Sequence, residues 1–318
     1  MASLASLPRG RRRPVAAEEP TARSAQRPDR VTLGAFLLMV VLAGGNAVGI
    51  KIAAQELEPL WGAGIRFAAS GLVFALIGTA LRVPMPRGAA LGGAMLYGTF
   101  AFGAAFGLGF TAIPMIGAGT GQLLFGLIPL LTLILAPLHG LEPVKLRALL
   151  GSLVALAGVA VLAVDRITLD VPPLGLGLAV LAAIMLAESG IVAKMTPRAD
   201  PIATNAVGML TGAAMLLPLS LLLGERWTLP GQDDTRLALA YLVVAGSLAV
   251  FWLFLFVLRR WDASVVSFEF LLIPLATIPF SALLTHELIT PTMLVGGAVI
   301  LGGVYVGVLI PSRADRTS

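Results

Sequence analysis

Residues 237–258 read LALAYLVVAGSLAVFWLFLFVL, 22 positions without a charge. An α-helix rises about 1.5 Å per residue and the hydrocarbon core of a bilayer is roughly 30 Å thick, so about 20 such residues make one crossing. Outward from this stretch the same reading recurs at 33–54, 60–81, 88–110, 113–138, 144–164, 173–193, 200–223, 262–284 and 291–310. Ten spans therefore fill the chain from Val31 to Ile310. The sequence predicts an all-α integral membrane protein with ten transmembrane helices.

Composition agrees. Hydrophobic residues make up 58% of the chain and charged residues 12%, with mean hydropathy +0.94; a soluble domain carries about twice that charge. Many of the 36 glycines sit inside spans. Gly103/Gly107, Gly117/Gly121 and Gly303/Gly307 have the small-xxx-small spacing that lets helix backbones approach. The absence of cysteine excludes disulfides, iron–sulfur clusters and thiolate metal sites. The two histidines, His139 and His286, fall at span ends without metal-ligand spacing, so neither a metal nor a cofactor is expected.

The net charge of +5 does not indicate nucleic acid, because seven of the 22 basic residues lie in the tail before the first span. Residues 1–30, rich in Pro, Ala and Ser as well as Arg, read as a disordered cytoplasmic tail, and 311–318 as a second one. The first tail has no apolar stretch between its arginines and the first span, so it is not a cleaved signal peptide. With the N-terminus inside, 17 Lys and Arg fall on the inner side and five on the outer: Lys51, Arg66, Arg166, Arg226 and Arg236. The positive-inside rule then places both termini in the cytoplasm of a multi-pass protein of the inner or plasma membrane.

The chain also resembles itself. Sliding it by 145 residues brings Pro129 onto Pro274, Glu142 onto Glu287, Gly151 onto Gly296 and Gly158 onto Gly303. Asn46 through Lys51 to Pro59 likewise matches Ser189 through Lys194 to Pro201. This predicts a duplicated five-helix unit, 31–165 and 173–310. Five is odd, so the second copy enters the membrane from the opposite side, an inverted design recurrent in secondary transporters. Spans 4 and 9 are the corresponding pair interrupted by Pro and Gly: Pro114, Gly117, Gly119, Gly121 and Pro129 in one, Pro274 and Pro279 in the other. Interrupted corresponding spans point to a substrate site.

These residues resemble the drug/metabolite transporter superfamily, specifically its ten-helix EamA-type permeases, from residue 33 to 310. The likeness rests on Gly45-Asn46 with Lys51 in span 1 and on Pro59 followed by Arg66-Phe67 at span 2. It rests also on the Pro129 and Pro274 spans, each followed by an acidic turn and a glycine-bearing span. Three places depart from the family pattern. Ala43-Gly44-Gly45-Asn46 stands where relatives often carry Trp-Gly-Ser-Asn; Leu141-Glu142 and His286-Glu287 replace a Gly-Glu turn; Glu188-Ser189 replaces aromatics in span 6. The resemblance implies export of small molecules, commonly amino acids and related metabolites, often coupled to protons.

Only two of the 17 acidic residues lie well inside spans, Glu188 and Glu269. An ionisable group at depth costs about 2.5–3.5 kcal/mol on insertion scales and is a functional hypothesis by default. Glu188 precedes Lys194 by six residues, roughly 9 Å along a helix, and Glu269 follows Arg260 by nine, roughly 13 Å. Both are expected between the inner surface and the midplane. Glu269 is read as a proton or substrate ligand, or as a packing residue partnered by Gln122 or Ser267. Glu188 is a second candidate, open to neutralisation by Lys194.

Lys51 and Arg66 are expected near the outer ends of spans 1 and 2, in a rim cluster with Glu56 and Glu58 or as attractors of a substrate carboxylate. Asn46, Gln122 and Asn205 are intramembrane amides able to line a polar path, Asn46 and Gln122 being preferred. Among the aromatics, Tyr97 and Trp252 combine an apolar body with a polar handle and are expected in the pathway. The reading is a secondary transporter of small metabolites working by proton-coupled alternating access, as a monomer or homodimer. The alternatives are a sugar-phosphate or nucleotide-sugar exchanger on the same fold and an intramembrane enzyme, which two sparse acids do not favour. No GxxxxGK[ST] loop for ATP is present.

Overall fold

The computed structural model describes residues 29–116, 118–164, 172–284 and 290–309. Among them there is no β-strand, and ten helices are long and apolar enough to cross a membrane. They are α1 (Arg30–Ala53), α2 (Pro59–Ala80), α3 (Ala89–Ile113), α4 (Thr120–Leu138), α5 (Leu146–Ala163), α6 (Pro173–Met195), α7 (Pro201–Leu222), α8 (Asp233–Leu258), α9 (Ala263–Leu284) and α10 (Pro291–Val308). Proline opens α2, α6, α7 and α10, where its missing N–H costs no intrahelical bond. Asp29 and Asp200 cap α1 and α7, accepting from the backbone N–H groups of Thr32 and Ile202. The tail preceding Asp29, Gly117, Arg166, His286, Glu287 and the segment from Ile310 lie outside the described residues, as does the side-chain placement of Pro114.

Lipid supplies no hydrophobic drive between helices, so association depends on close packing. At α5 and α10 the backbones touch. An added Cβ on Gly151 would stand 2.5 Å from the Gly307 backbone, and one on Gly158 would stand 2.8 Å from the Gly296 carbonyl oxygen. Partner numbers fall as α5 numbers rise, so the two helices run antiparallel. The α2–α7 seam is built the same way: Gly64, Gly71 and Gly78 face Leu217, Leu210 and Ile202 in turn. Around these two seams α1 packs on α9 and α8, and α6 packs on α4 and α3. Leu72, Leu76 and Leu237, each more than half exposed, lie on the outer surface that lipid covers.

The three expected glycine pairs divide. Gly303/Gly307 lies in the α5–α10 seam. Gly103 meets the flexible Met215 side chain and Gly107 meets Leu216 and Leu219, all on α7. A Cβ at Gly121 would find only ordinary contacts, so no backbone approach requires that glycine.

Three helices depart from regular α geometry. α3 is π-helical over Thr99–Ala105 and α8 over Val244–Ala249, and α10 ends in a third π turn at Tyr305–Leu309. The breaks expected in spans 4 and 9 exist, with altered positions. α4 is interrupted at Gly126-Leu127, just before Pro129, while Pro114 stands in the helical stretch Phe106–Ile116 that carries α3 on to Ile116 and does not belong to span 4. α9 is interrupted at Ser267-Phe268, so Glu269 opens its second segment; Pro274 and Pro279 lie inside that segment.

Gly303 and its neighbour Gly302 form a matched test. A side chain on Gly303 would meet the Ala155 backbone, whereas nothing lies within 4 Å of Gly302. Gly303→Val should lower stability by about 1–3 kcal/mol through overpacking, read as a drop in Tm in detergent, and Gly302→Val should leave Tm in place.

Candidate functional site

Arg66 does not sit at a rim. Its residue is 3% exposed, in the interior of the α2–α8 contact. Nε donates to Ser247 Oγ at 2.8 Å and Nη2 to the Gly246 carbonyl at 2.8 Å, both in the π-helical part of α8. Asn46 Nδ2 donates to the same carbonyl at 3.3 Å, and Asn46 Oδ1 is buried without a partner. A Cβ at Gly246 would collide with Asn46 Oδ1, so any larger residue there would displace the Asn46 amide from the Gly246 carbonyl. No carboxylate among the described residues pairs with this guanidinium, so a full positive charge is held by one hydroxyl and one carbonyl. The Tyr241 hydroxyl, which donates to the Leu42 carbonyl at 2.8 Å, completes this compartment between α1, α2 and α8.

A second compartment holds a buried acid. Glu269 is 4% exposed in the first turn of the second α9 segment, where the helix N-terminus favours negative charge. Tyr97 on α3 is 1% exposed, its hydroxyl lacks a hydrogen-bond partner, and it lies within electrostatic reach of Glu269. Neither Gln122 nor Ser267 bonds the carboxyl: Ser267 Oγ donates to the Ser264 carbonyl, and Gln122 is half-buried.

Aromatic rings pack against Arg66 and extend from it to Tyr97. The Arg66 guanidinium carbon lies 5.2 Å from the centre of Phe67 and 5.9 Å from that of Phe106. Phe67 packs on Phe102 at 4.9 Å, Phe102 on Phe251 at 4.7 Å and on Tyr97 at 5.3 Å. These tilted and edge-on contacts form a continuous run of rings from Arg66 to Tyr97.

The other candidates lie elsewhere. Glu188 pairs with His139 Nε2 at 3.0 Å, at the end of α4. Lys194, the partner expected for it, donates to the Leu258 and Trp261 carbonyls, because the end of α8 lies closer to its stem. Trp252 is 37% exposed and stacks on Phe256 at 5.4 Å, on the outer surface of the bundle and away from both compartments. Lys51 is exposed in the last turn of α1, and Asn205 is fully buried with both amide atoms unpartnered. Among the described residues no group of His, Asp and Glu is placed to hold a metal.

The expected rim cluster dissolves as well. Glu56 accepts from the Gly231 and Gln232 N–H groups at 2.6 and 3.2 Å. Glu225 accepts from Leu60 and Trp61 N–H at 3.0 and 2.7 Å, and Trp61 stacks on Trp227 at 4.4 Å. The loop before α8 is thereby clasped over the α1–α2 turn. At the other end Glu142 accepts from Ala263 N–H and Ser264 Oγ, both at 2.5 Å, tying the α4–α5 turn to the start of α9.

Ser247, Gly246 and Glu225 were not singled out from the sequence. The only signal for the first two is a pair of small residues inside the large apolar run of span 8.

Comparison with known proteins matches the model of the EamA-like transporter family twice, over residues 31–164 and 173–309. The chain belongs to the EamA-like transporter family. It is 28% identical over 295 residues to a probable amino-acid metabolite efflux pump of Salmonella typhimurium, covering 89% of this chain and 96% of that one. It is 24% identical to the uncharacterized inner membrane transporter YedA of Escherichia coli strain K12, covering 71% of this chain and 74% of that one. A crystal structure 18% identical superposes with a TM-score of 0.76 over 88% of this chain and 96% of its own, a likeness of fold.

Two outcomes follow. A buried cation without a counter-charge is costly, so Arg66→Gln should leave Tm unchanged or higher while abolishing substrate movement in vesicles; retained movement would make Arg66 a packing residue. The Gln232 and Gly231 N–H groups hold the Glu56 carboxyl below its ordinary value of 4.5. A lowered pKa in the folded state contributes stability above the ordinary value and loses it as pH falls through the lowered one. The clasp should therefore loosen below pH 4.5, seen as altered Trp61–Trp227 fluorescence, and Glu56→Gln should remove that dependence.

Proposed function

We propose that this EamA-family transporter is a multi-pass inner-membrane exporter of amino acids or related small metabolites, driven by protons through alternating access. What supports the mechanism is a buried guanidinium, Arg66, and a buried carboxyl, Glu269, with a run of ring contacts leading from Phe67 through Phe102 to Tyr97, which is within electrostatic reach of Glu269. Glu269 carries the proton. Its carboxyl is buried in the span, and the unpartnered Tyr97 hydroxyl, within electrostatic reach, offers it a hydrogen-bond partner when the site rearranges. Arg66 receives the substrate carboxylate, with Asn46 beside it. A single buried guanidinium suits one carboxylate better than a phosphorylated sugar. Gln122, Glu188 with His139, and Lys51 border the path, whereas Trp252 faces away from it.

Alternating access rests on an inverted duplication, with units 31–165 and 173–310 and both terminal tails on the cytoplasmic side. Several observations support it. The family match occurs twice in tandem. Adding five to a helix number exchanges the α1–α9 contact with α6–α4 and the α1–α8 contact with α6–α3, while α2–α7 and α5–α10 map onto themselves in antiparallel register. The π-helical segments of α3 and α8 begin at Thr99 and Val244, 145 residues apart, the offset that aligns Pro129 with Pro274. Lys194, Arg198 and Arg259 gather at one end, as a cytoplasmic face requires. Ten helices enclose the site within one chain, as a monomer or as each half of a homodimer.

In inside-out vesicles energised with a pH gradient, substrate pools should produce a proton leak with the wild type. Glu269→Gln should lose that leak while staying folded. Normal coupled transport by this variant would remove Glu269 as the carrier.

A further inference from the structure

A cavity of about 140 Å³ opens at the end of the bundle where α6 turns into α7 and α8 terminates. That is comparable with the roughly 150 Å³ that admits a benzene-sized molecule. Its wall is built from α3 through Gly93 and Tyr97, the 193–199 corner, Thr204 on α7, and Leu255, Leu258 and Arg259 at the end of α8.

The charges around it are unbalanced. Arg198 and Arg259 stand exposed at the mouth. Partial burial lowers the Arg259 pKa; Asp200 opposes this, while Arg198 and Arg260 add to it by repulsion. The Asp200 carboxylate is already engaged, accepting from Ile202 N–H at 2.8 Å as the cap of α7. Tyr97 contributes to the wall, its hydroxyl buried away from the opening. Lys194 lines the wall as well, with its ammonium turned to the Leu258 and Trp261 carbonyls. The positive-inside rule accounts for basic residues at this end. It does not by itself account for two guanidinium groups at the mouth of one cavity of this size. Arginine presents a planar fork matched to carboxylate.

We propose that this vestibule is an entry site for small carboxylates, with Arg198 and Arg259 holding the anionic end. As a statement about substrate it rests on the transporter reading above, and it deepens that reading by naming the chemical class admitted. The same anionic chemistry is offered by a lipid phosphate, and the test separates the two sources.

The full chain is placed in nanodiscs of phosphatidylcholine alone and titrated, by thermal shift and calorimetry, with a pool of L-amino acids and short monocarboxylates. A parallel titration uses the corresponding carboxamides. The carboxylates should bind and the carboxamides should not. Arg198→Gln and Arg259→Gln should each weaken carboxylate binding by about tenfold or more, Arg198→Lys should retain part of it, and Arg260→Gln, whose guanidinium lies over Phe256, should change nothing. Equal binding of carboxamides, or binding untouched by both Gln variants, overturns the proposal. So does loss of carboxylate binding when phosphatidylglycerol is added, which would assign the site to a lipid headgroup. Proton-coupled efflux is measured on the same variants in vesicles: wild-type efflux by both Gln variants removes the vestibule and leaves the transporter reading standing.

Discussion

In hydrocarbon a backbone N–H has no water to turn to, so each crossing closes its own hydrogen bonds as a helix, and helices are held together by contact alone. The α5–α10 seam shows how far this goes. Gly151, Gly158, Gly296 and Gly303 bring one backbone against another, each glycine meeting main-chain atoms of the opposite helix. Leucine in lipid gains nothing by leaving it, whereas two backbones at this distance exclude lipid and gain dispersion along their whole length. The α2–α7 seam repeats the arrangement with leucine side chains seated on glycine notches. The remaining helices are arranged around these two antiparallel pairs.

Within that frame the irregular backbone is placed where polar groups need it. The π-helical part of α8 presents the Gly246 carbonyl and Ser247 hydroxyl to Arg66, and the matching part of α3 lies beside Tyr97. The interruption of α9 puts Glu269 at the start of a helical segment. Two groups that would be expelled from an apolar interior are thus retained in it, one by hydrogen bonds and one at a helix N-terminus. Rings from α2, α3 and α8 pack in a continuous run from Arg66 to Tyr97.

Both ends of the bundle are fastened by carboxylates outside the hydrocarbon. Glu56 and Glu225 hold the loop before α8 onto the start of α2, and Glu142 holds the start of α9. In each case a carboxylate meets exposed N–H groups at a loop or helix start, the donors that helix geometry leaves unused. The cavity beside Arg198 and Arg259 opens at the end held by Glu142, whereas the Glu56 and Glu225 clasp covers the other.

The sequence by itself determined the ten spans, the family and the burial of Glu269, because each depends on local composition: uncharged runs of sufficient length, ordered motifs, and one acid far from any span end. It also marked the glycines of the α5–α10 seam, since a 145-residue offset aligns them in pairs. Tertiary structure alone decided the partners. Arg66 finds Ser247 across 181 residues, and Glu188 finds His139 in place of Lys194, six residues away. Trp252 has the same kind of polar handle as Tyr97 yet turns toward the outer surface, because the face a side chain takes is set by which helix packs beside it. Side-chain partners in a membrane are chosen by helix contacts, and helix contacts are made by backbone fit between segments that the linear chain keeps far apart.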